Sequence, residues 1–230
     1  MAEGFAGIWT RFGAEIAKGF AETFYMVGVA FAVALVLGTA IGMVLSLCAR
    51  GRPFEAPRAA ALLSWGVTVI RSVPFILFLI VMAPVARALI GTAYGMHAST
   101  ISLSLVGIAL VARLVEQAIA DLDPQIYRTA QSMGAGPFQI ILRFVLVEAR
   151  GALILGYTSA IISLIAYSTV VGVIAGGGIG YLAVQEGFYM WNQPLMWVII
   201  LLMTLLVQIV QVAGSTLARR LDRKGGPRQS

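Results

Sequence analysis

Residues 23–48 read TFYMVGVAFAVALVLGTAIGMVLSLC, a stretch of 26 positions without one charged side chain. As a helix rising 1.5 Å per residue it reaches roughly 39 Å, enough to cross a hydrocarbon core of about 30 Å. It does not read as a cleavable leader. Glu3, Glu15 and Glu22 precede it, and its apolar run is too long for the core of a signal peptide.

Four further apolar stretches follow, at 60–85, 99–119, 151–175 and 194–217, each close to spanning length. The whole 230-residue chain agrees with them. It is 60% hydrophobic and only 11% charged, with a mean hydropathy of +0.92. A soluble domain carries about 25% charged residues, so this surface cannot face water, and its apolar content excludes a disordered chain. The fold class expected is all-α: a polytopic membrane protein with five transmembrane helices. Residues 1–22 form an external N-terminal segment, 23–218 the membrane domain, and 219–230 a basic cytoplasmic tail.

The counts exclude several chemistries. Cys48 is the one cysteine and His97 the one histidine, so no internal disulfide, cysteine pair or multi-histidine metal site is available to a single chain. No metal and no cofactor is expected. The net charge of +6 reports membrane orientation rather than nucleic-acid binding. With five spans, 11 of the 16 basic residues fall on one side: Arg50, Arg52, Arg58, Arg128, Arg143, Arg150, Arg219, Arg220, Arg223, Lys224 and Arg228. Only Arg11, Lys18 and Arg87 fall on the other, while Arg71 and Arg113 lie in or at the ends of spans. The positive-inside rule then puts the N-terminus outside and the C-terminus in the cytoplasm. Tyr181, Phe188, Tyr189 and Trp191 cluster before the fifth span, where aromatic rings anchor an interface.

The longest polar connection, 121–150, has the grammar of short helices. Asp123 caps a helix entered through Pro124, and Gly134 stops it. Gly136 and Pro137 restart the chain into a second amphipathic helix over 138–146. Met133, Phe138 and Ile141 then need a surface to cover them, because a loop of this size has no core of its own. The membrane, the spans and a separate protein all remain open as that surface.

The segment YRTAQSMGAGPFQI (127–140) resembles the coupling loop, known as the EAA loop, of ABC importer permeases. RSVPF (71–75), ARLVE (112–116), Tyr167-Ser168 and the glycine run GGGIG (176–180) resemble the methionine importer branch of that family. The resemblance extends over roughly 23–219. It implies a type I importer fold and a permease that works as a homodimer in the bacterial inner membrane. Two cytoplasmic ATPase subunits would dock on the loops, and an external binding protein would deliver methionine or a related amino acid. It also implies that Arg128, Thr129, Ala130, Met133, Gly134, Ala135, Phe138 and Gln139 form the ATPase coupling element. Two departures stand out. Arg128-Thr129-Ala130 replaces the family's Glu-Ala-Ala, and Leu146-Val147 replaces its Leu-Pro. The reversal to Arg128 points to an acidic residue on the partner. The chain lacks ATPase chemistry of its own: Lys18 and Lys224 are its only lysines and neither lies in a phosphate-binding loop, so the glycine run is not a phosphate cradle.

Ala30, Ala34, Gly38, Gly42 and Ser46 recur every four residues, and Gly38–Gly42 is a GxxxG suited to close helix packing, within the chain before between chains. In the fourth span Gly156, Ser159, Ala160, Ser163, Tyr167 and Val170 are read as a small, polar face, which meets either another helix or the translocation pathway; Ser159, Ser163, Tyr167 and Val170 are the pathway candidates. Leu155, Ile161, Ile162 and Ile165 are read as its lipid-facing side. Arg71 either snorkels to the cytoplasmic interface, with Pro74 kinking the helix behind it, or lines the pathway. Arg113 and Glu116, three apart, neutralise each other. Besides a permease for methionine, three readings compete: an importer of another small solute, an ion-coupled secondary transporter and an intramembrane enzyme. The secondary transporter calls for buried acidic pairs, and the enzyme for a catalytic cluster.

Overall fold

The computed structural model describes residues 5–49, 52, 54–174 and 176–221. Arg50, Ala175 and residues 222–230, with Arg223, Lys224 and Arg228, lie outside the described residues, as do 1–4 of the expected N-terminal segment. Among the described residues there is no strand, as a lipid-embedded chain demands of its backbone groups.

The helices are α1 (Phe5–Val33), α2 (Thr39–Leu47), α3 (Pro57–Ser72), α4 (Phe75–Ile90), α5 (Met96–Ala120), α6 (Gln125–Ser132), α7 (Pro137–Gln139), α8 (Leu146–Val171), α9 (Gly178–Leu182) and α10 (Gln193–Leu221). π-Helical turns at Ala34–Gly38, Ile140–Val145 and Ala183–Tyr189 keep α1 and α2, α7 and α8, and the start of the aromatic loop helical throughout. Four helical runs are long and apolar enough to cross a membrane: Gly7–Leu47, Met96–Ala120, Pro137–Ile174 and Gln193–Leu221. Counting the broken pair α3 and α4 as one span makes five.

Three sequence expectations need correction. Residues 60–85 are not one kinked helix. Pro74 offers no N–H and drives Val73 out of the helical region, so α3 ends at Ser72 and α4 starts afresh at Phe75. Residues 5–22 are not a segment apart from the first span but form the first turns of α1. Ile8, Phe12 and Ile16, spaced every four residues, are buried against Ile179, Leu182, Leu195, Val198 and Ile199. Burying each contributes about 1.5–3 kcal/mol where the neighbouring phase is water. The third correction shortens the polar connection. It ends at Gly136, and residues 137–150 belong to the 38-residue run Pro137–Ile174 instead of forming a helix of their own.

The chain divides into two compact units. The first comprises 1–33, 72–107 and 161–210, the second 34–71, 108–160 and 211–230. Among its described residues the first holds a core around Ile8 and Ile179 and another of Met26, Val27, Ala30, Leu79, Leu103, Leu164, Ile165 and Val171. Ile165 is therefore a core residue and not lipid-facing, because α8 is apolar on more than one side and its neighbours claim that face. In the second unit Leu45, Val67, Ala109 and Ala112 form the core. There the GxxxG works within the chain. A Cβ on Gly38 would stand 2.8 Å from the Ile108 carbonyl oxygen, and one on Gly42 2.5 Å from that of Ala112. The small-residue stripe of Ala30, Ala34, Gly38, Gly42 and Ser46 is buried along its length.

Candidate coupling surface and translocation helix

Local sequence builds the coupling segment. Asp123 Oδ1 accepts the Gln125 N–H at 2.8 Å, which starts α6 one residue after Pro124. At the other end the Ala135 N–H bonds to the Ala130 carbonyl and the Gly134 N–H to the Gln131 carbonyl, a Schellman closure. Gly134 carries it at φ +73°, a conformation that disfavours any residue with a Cβ. The next turn begins at Pro137, with Gln139 Oε1 accepting the Gly136 N–H.

The two faces of α6 differ sharply. Tyr127 and Ala130 are buried, so Ala130 fixes the helix and is not itself a contact surface. Arg128 and Thr129 are exposed, Thr129 Oγ1 donating back to the Gln125 carbonyl. Met133 and Phe138 are 71% and 72% exposed on either side of the Gly134 turn. Gly134 and Gln139 are exposed with them, and Ala135 is half-buried. Of the eight residues expected to couple, six are exposed, Ala135 is half-buried and Ala130 is buried. The sequence reading placed Tyr127 in the coupling segment but did not implicate Arg52, which packs against the buried Tyr127 on the inner face of α6. The Arg52 guanidinium lies 5.2 Å from the centre of the Tyr127 ring. Burial pushes the Tyr127 phenol above its ordinary pKa range, an effect the nearby Arg52 charge partly offsets.

The four translocation candidates all lie on α8 but do not share one environment. Ser159 is exposed, while Ser163, Tyr167 and Val170 are half-buried. The Tyr167 ring stacks on Phe75 at 4.7 Å, joining two of the segments quoted above. Val170 lines a cavity of about 430 Å³ together with Thr169, Val173, Met196, Met203 and Thr204, a mostly apolar wall. Arg71 sits exposed in the last turn of α3. Arg113 and Glu116 form the expected ion pair at 2.7 Å, so that Glu116 is neutralised.

The glycine run is a packing device. The Gly178 N–H donates to Glu22 Oε2 at 2.7 Å and the Ile179 N–H to Thr23 Oγ1 at 3.0 Å, so α1 holds the start of α9. A Cβ on Gly180 would come within 2.5–2.9 Å of the Thr169 backbone. Glu22 and Thr23 were not evident as clamps from sequence, since their partners lie 156 residues away.

The sequence profile of the family described as "Binding-protein-dependent transport system inner membrane component" matches residues 42–223. A probable D-methionine transport system permease protein MetI of Vibrio cholerae is 34% identical over 203 residues, 88% of this chain and 90% of that protein. The methionine import system permease protein MetP of Bacillus subtilis is 30% identical over 180 residues, 78% of this chain and 81% of that protein. Among solved structures, a chain of the methionine ABC transporter MetNI in an inward-facing conformation superposes with a TM-score of 0.89 at 29% identity. That superposition covers 97% of this chain and all of that one. A chain of an amino acid ABC transporter, at 17% identity and a TM-score of 0.70, shares the fold.

Proposed function

The chain belongs to the family of binding-protein-dependent transport system inner membrane components, and from that premise we propose that it imports methionine as the permease subunit of an ATP-driven transporter. It is a transport subunit of an ABC importer and a multi-pass protein of the inner membrane. Methionine is the substrate named for its relatives in Vibrio cholerae and Bacillus subtilis.

The observation that carries the mechanism is the open turn at Gly134. Met133 and Phe138 expose large apolar side chains on a helix whose opposite face is fixed by buried Tyr127 and Ala130. A rigid support beneath an apolar knob is what a docking element needs. In this reading two copies of the chain enclose the pathway, one ATPase docks on each Gly134 turn, and an external binding protein presents the substrate. The N-terminus lies outside and the C-terminus in the cytoplasm, an orientation that the distribution of basic residues supports. ATP binding closes the ATPases on each other, the coupling turns move with them, and the spans alternate between outward and inward access.

The test is reconstitution of the permease in liposomes with its ATPase and binding protein. ATP-dependent uptake of radiolabelled methionine is expected. Uptake driven by an ion gradient without ATP would favour a secondary transporter, and ATP-dependent uptake of a different solute alone would remove methionine.

A further inference from the structure

Arg52 lies half-buried in the connection between α2 and α3. Its Nη2 donates to the Ala120 carbonyl at 3.0 Å. Ala120 ends α5, and carbonyls in a last helical turn lack helical partners and carry partial negative charge, so a guanidinium suits the position. The same plane lies over the Tyr127 ring on the inner face of α6, a cation–π contact. One planar cation therefore touches the α2–α3 connection, the end of a membrane span and the coupling helix.

Among the described residues, two buried atoms at this junction make no hydrogen bond: Arg52 Nη1 and the Tyr127 hydroxyl. Leaving buried polar groups unpaired is destabilising. An apolar pair of the same volume would hold the segments together with less loss, so stability alone does not account for the arrangement. Geometry does. A guanidinium grips a carbonyl edge-on and a ring face-on at once, which an ammonium cannot.

We propose that Arg52 is a positioning residue that locks α6 to the end of α5, so that movement of the docked ATPase and movement of the span are one event. The proposal rests on the coupling role given to α6 above. The experiment uses the complete transporter in liposomes and reads two quantities: ATPase co-purification, and methionine taken up per ATP hydrolysed. Arg52→Lys should keep the ATPase bound and lower uptake per ATP about fivefold, the loss expected from the one cation–π contact that a lysine does not reproduce. Tyr127→Leu should do the same, and Tyr127→Phe, which keeps the ring, should match the unaltered transporter. The double variant Arg52→Lys/Tyr127→Leu should be no worse than either single one, because both remove the same contact. An unchanged ratio in Arg52→Lys, additive losses in the double variant, or loss of ATPase binding in Arg52→Lys would each overturn the proposal. Phe138→Asp separates the two ideas, since it should abolish co-purification. If it does so while Arg52→Lys transports normally, the docking surface stands and the lock falls. If Phe138→Asp retains the ATPase, the docking reading fails and the lock fails with it.

Discussion

The turn at Gly134 and the run at 176–180 both place glycine where the backbone changes direction, yet for opposite reasons. Around Gly134 nothing lies within 4 Å of where a Cβ would point, so glycine is required there only by its positive φ. At Gly180 the Thr169 backbone occupies the space, and at Gly178 the chain is tied to Glu22 and Thr23. One turn is open and presents Met133 and Phe138, and the other is sealed by its own chain. In the proposed reading the open turn, next to exposed apolar side chains, is the surface that docks a partner, whereas the sealed one is part of the core.

Substitutions should separate the two. The largest effect belongs to Gly180→Val, because a branched side chain against backbone has nowhere to go. The yield of folded, monodisperse protein in detergent should fall roughly tenfold, as size-exclusion chromatography would show. Near-normal yield would mean that the run is looser than described. Gly134→Val comes next and should leave that yield intact. Holding a Cβ in the left-handed region costs about 1–2 kcal/mol, so the turn should reorganise and ATPase affinity should drop roughly tenfold in a titration. Glu22→Ala removes a charge-assisted hydrogen bond of about 1.5–3 kcal/mol, and a lower thermal midpoint is expected, with Glu22→Gln partly restoring it. An unchanged midpoint in Glu22→Ala would show that the clamp contributes little. The smallest effect is that of Arg128→Glu. An exposed ion pair is worth about 1 kcal/mol or less, so ATP-driven uptake should fall roughly fivefold at most and recover when an acidic residue of the ATPase is made basic.

Features set by neighbouring residues were legible in the sequence. The Asp123 cap, the Gly134 stop and the Arg113–Glu116 pair are each decided within one or two turns of helix, and the four-residue spacing of Gly38 and Gly42 marks a packing face although its partners, Ile108 and Ala112, are distant. Ile8, Phe12 and Ile16 also carry a local signal, a four-residue spacing with Arg11 and Glu15 between them. Pro74 announced a disturbance but not its severity, since a kink and a full break differ by whether Val73 keeps a helical backbone. Burial of Ile165 and the contact of Arg52 with Ala120 depend on tertiary partners, the latter 68 residues apart, and no local pattern encodes them.

The docking role of the Gly134 turn is tested most directly by site-specific cross-linking in a Cys48→Ala background. Met133→Cys and, separately, Trp191→Cys would each carry a short photo-cross-linker, with the ATPase present in membranes. Both positions are strongly exposed, at 71% and 77%, so exposure alone does not distinguish them. The predicted result is a product with the mass of permease plus ATPase from Met133→Cys and none from Trp191→Cys. A product from Trp191→Cys with none from Met133→Cys would contradict the account.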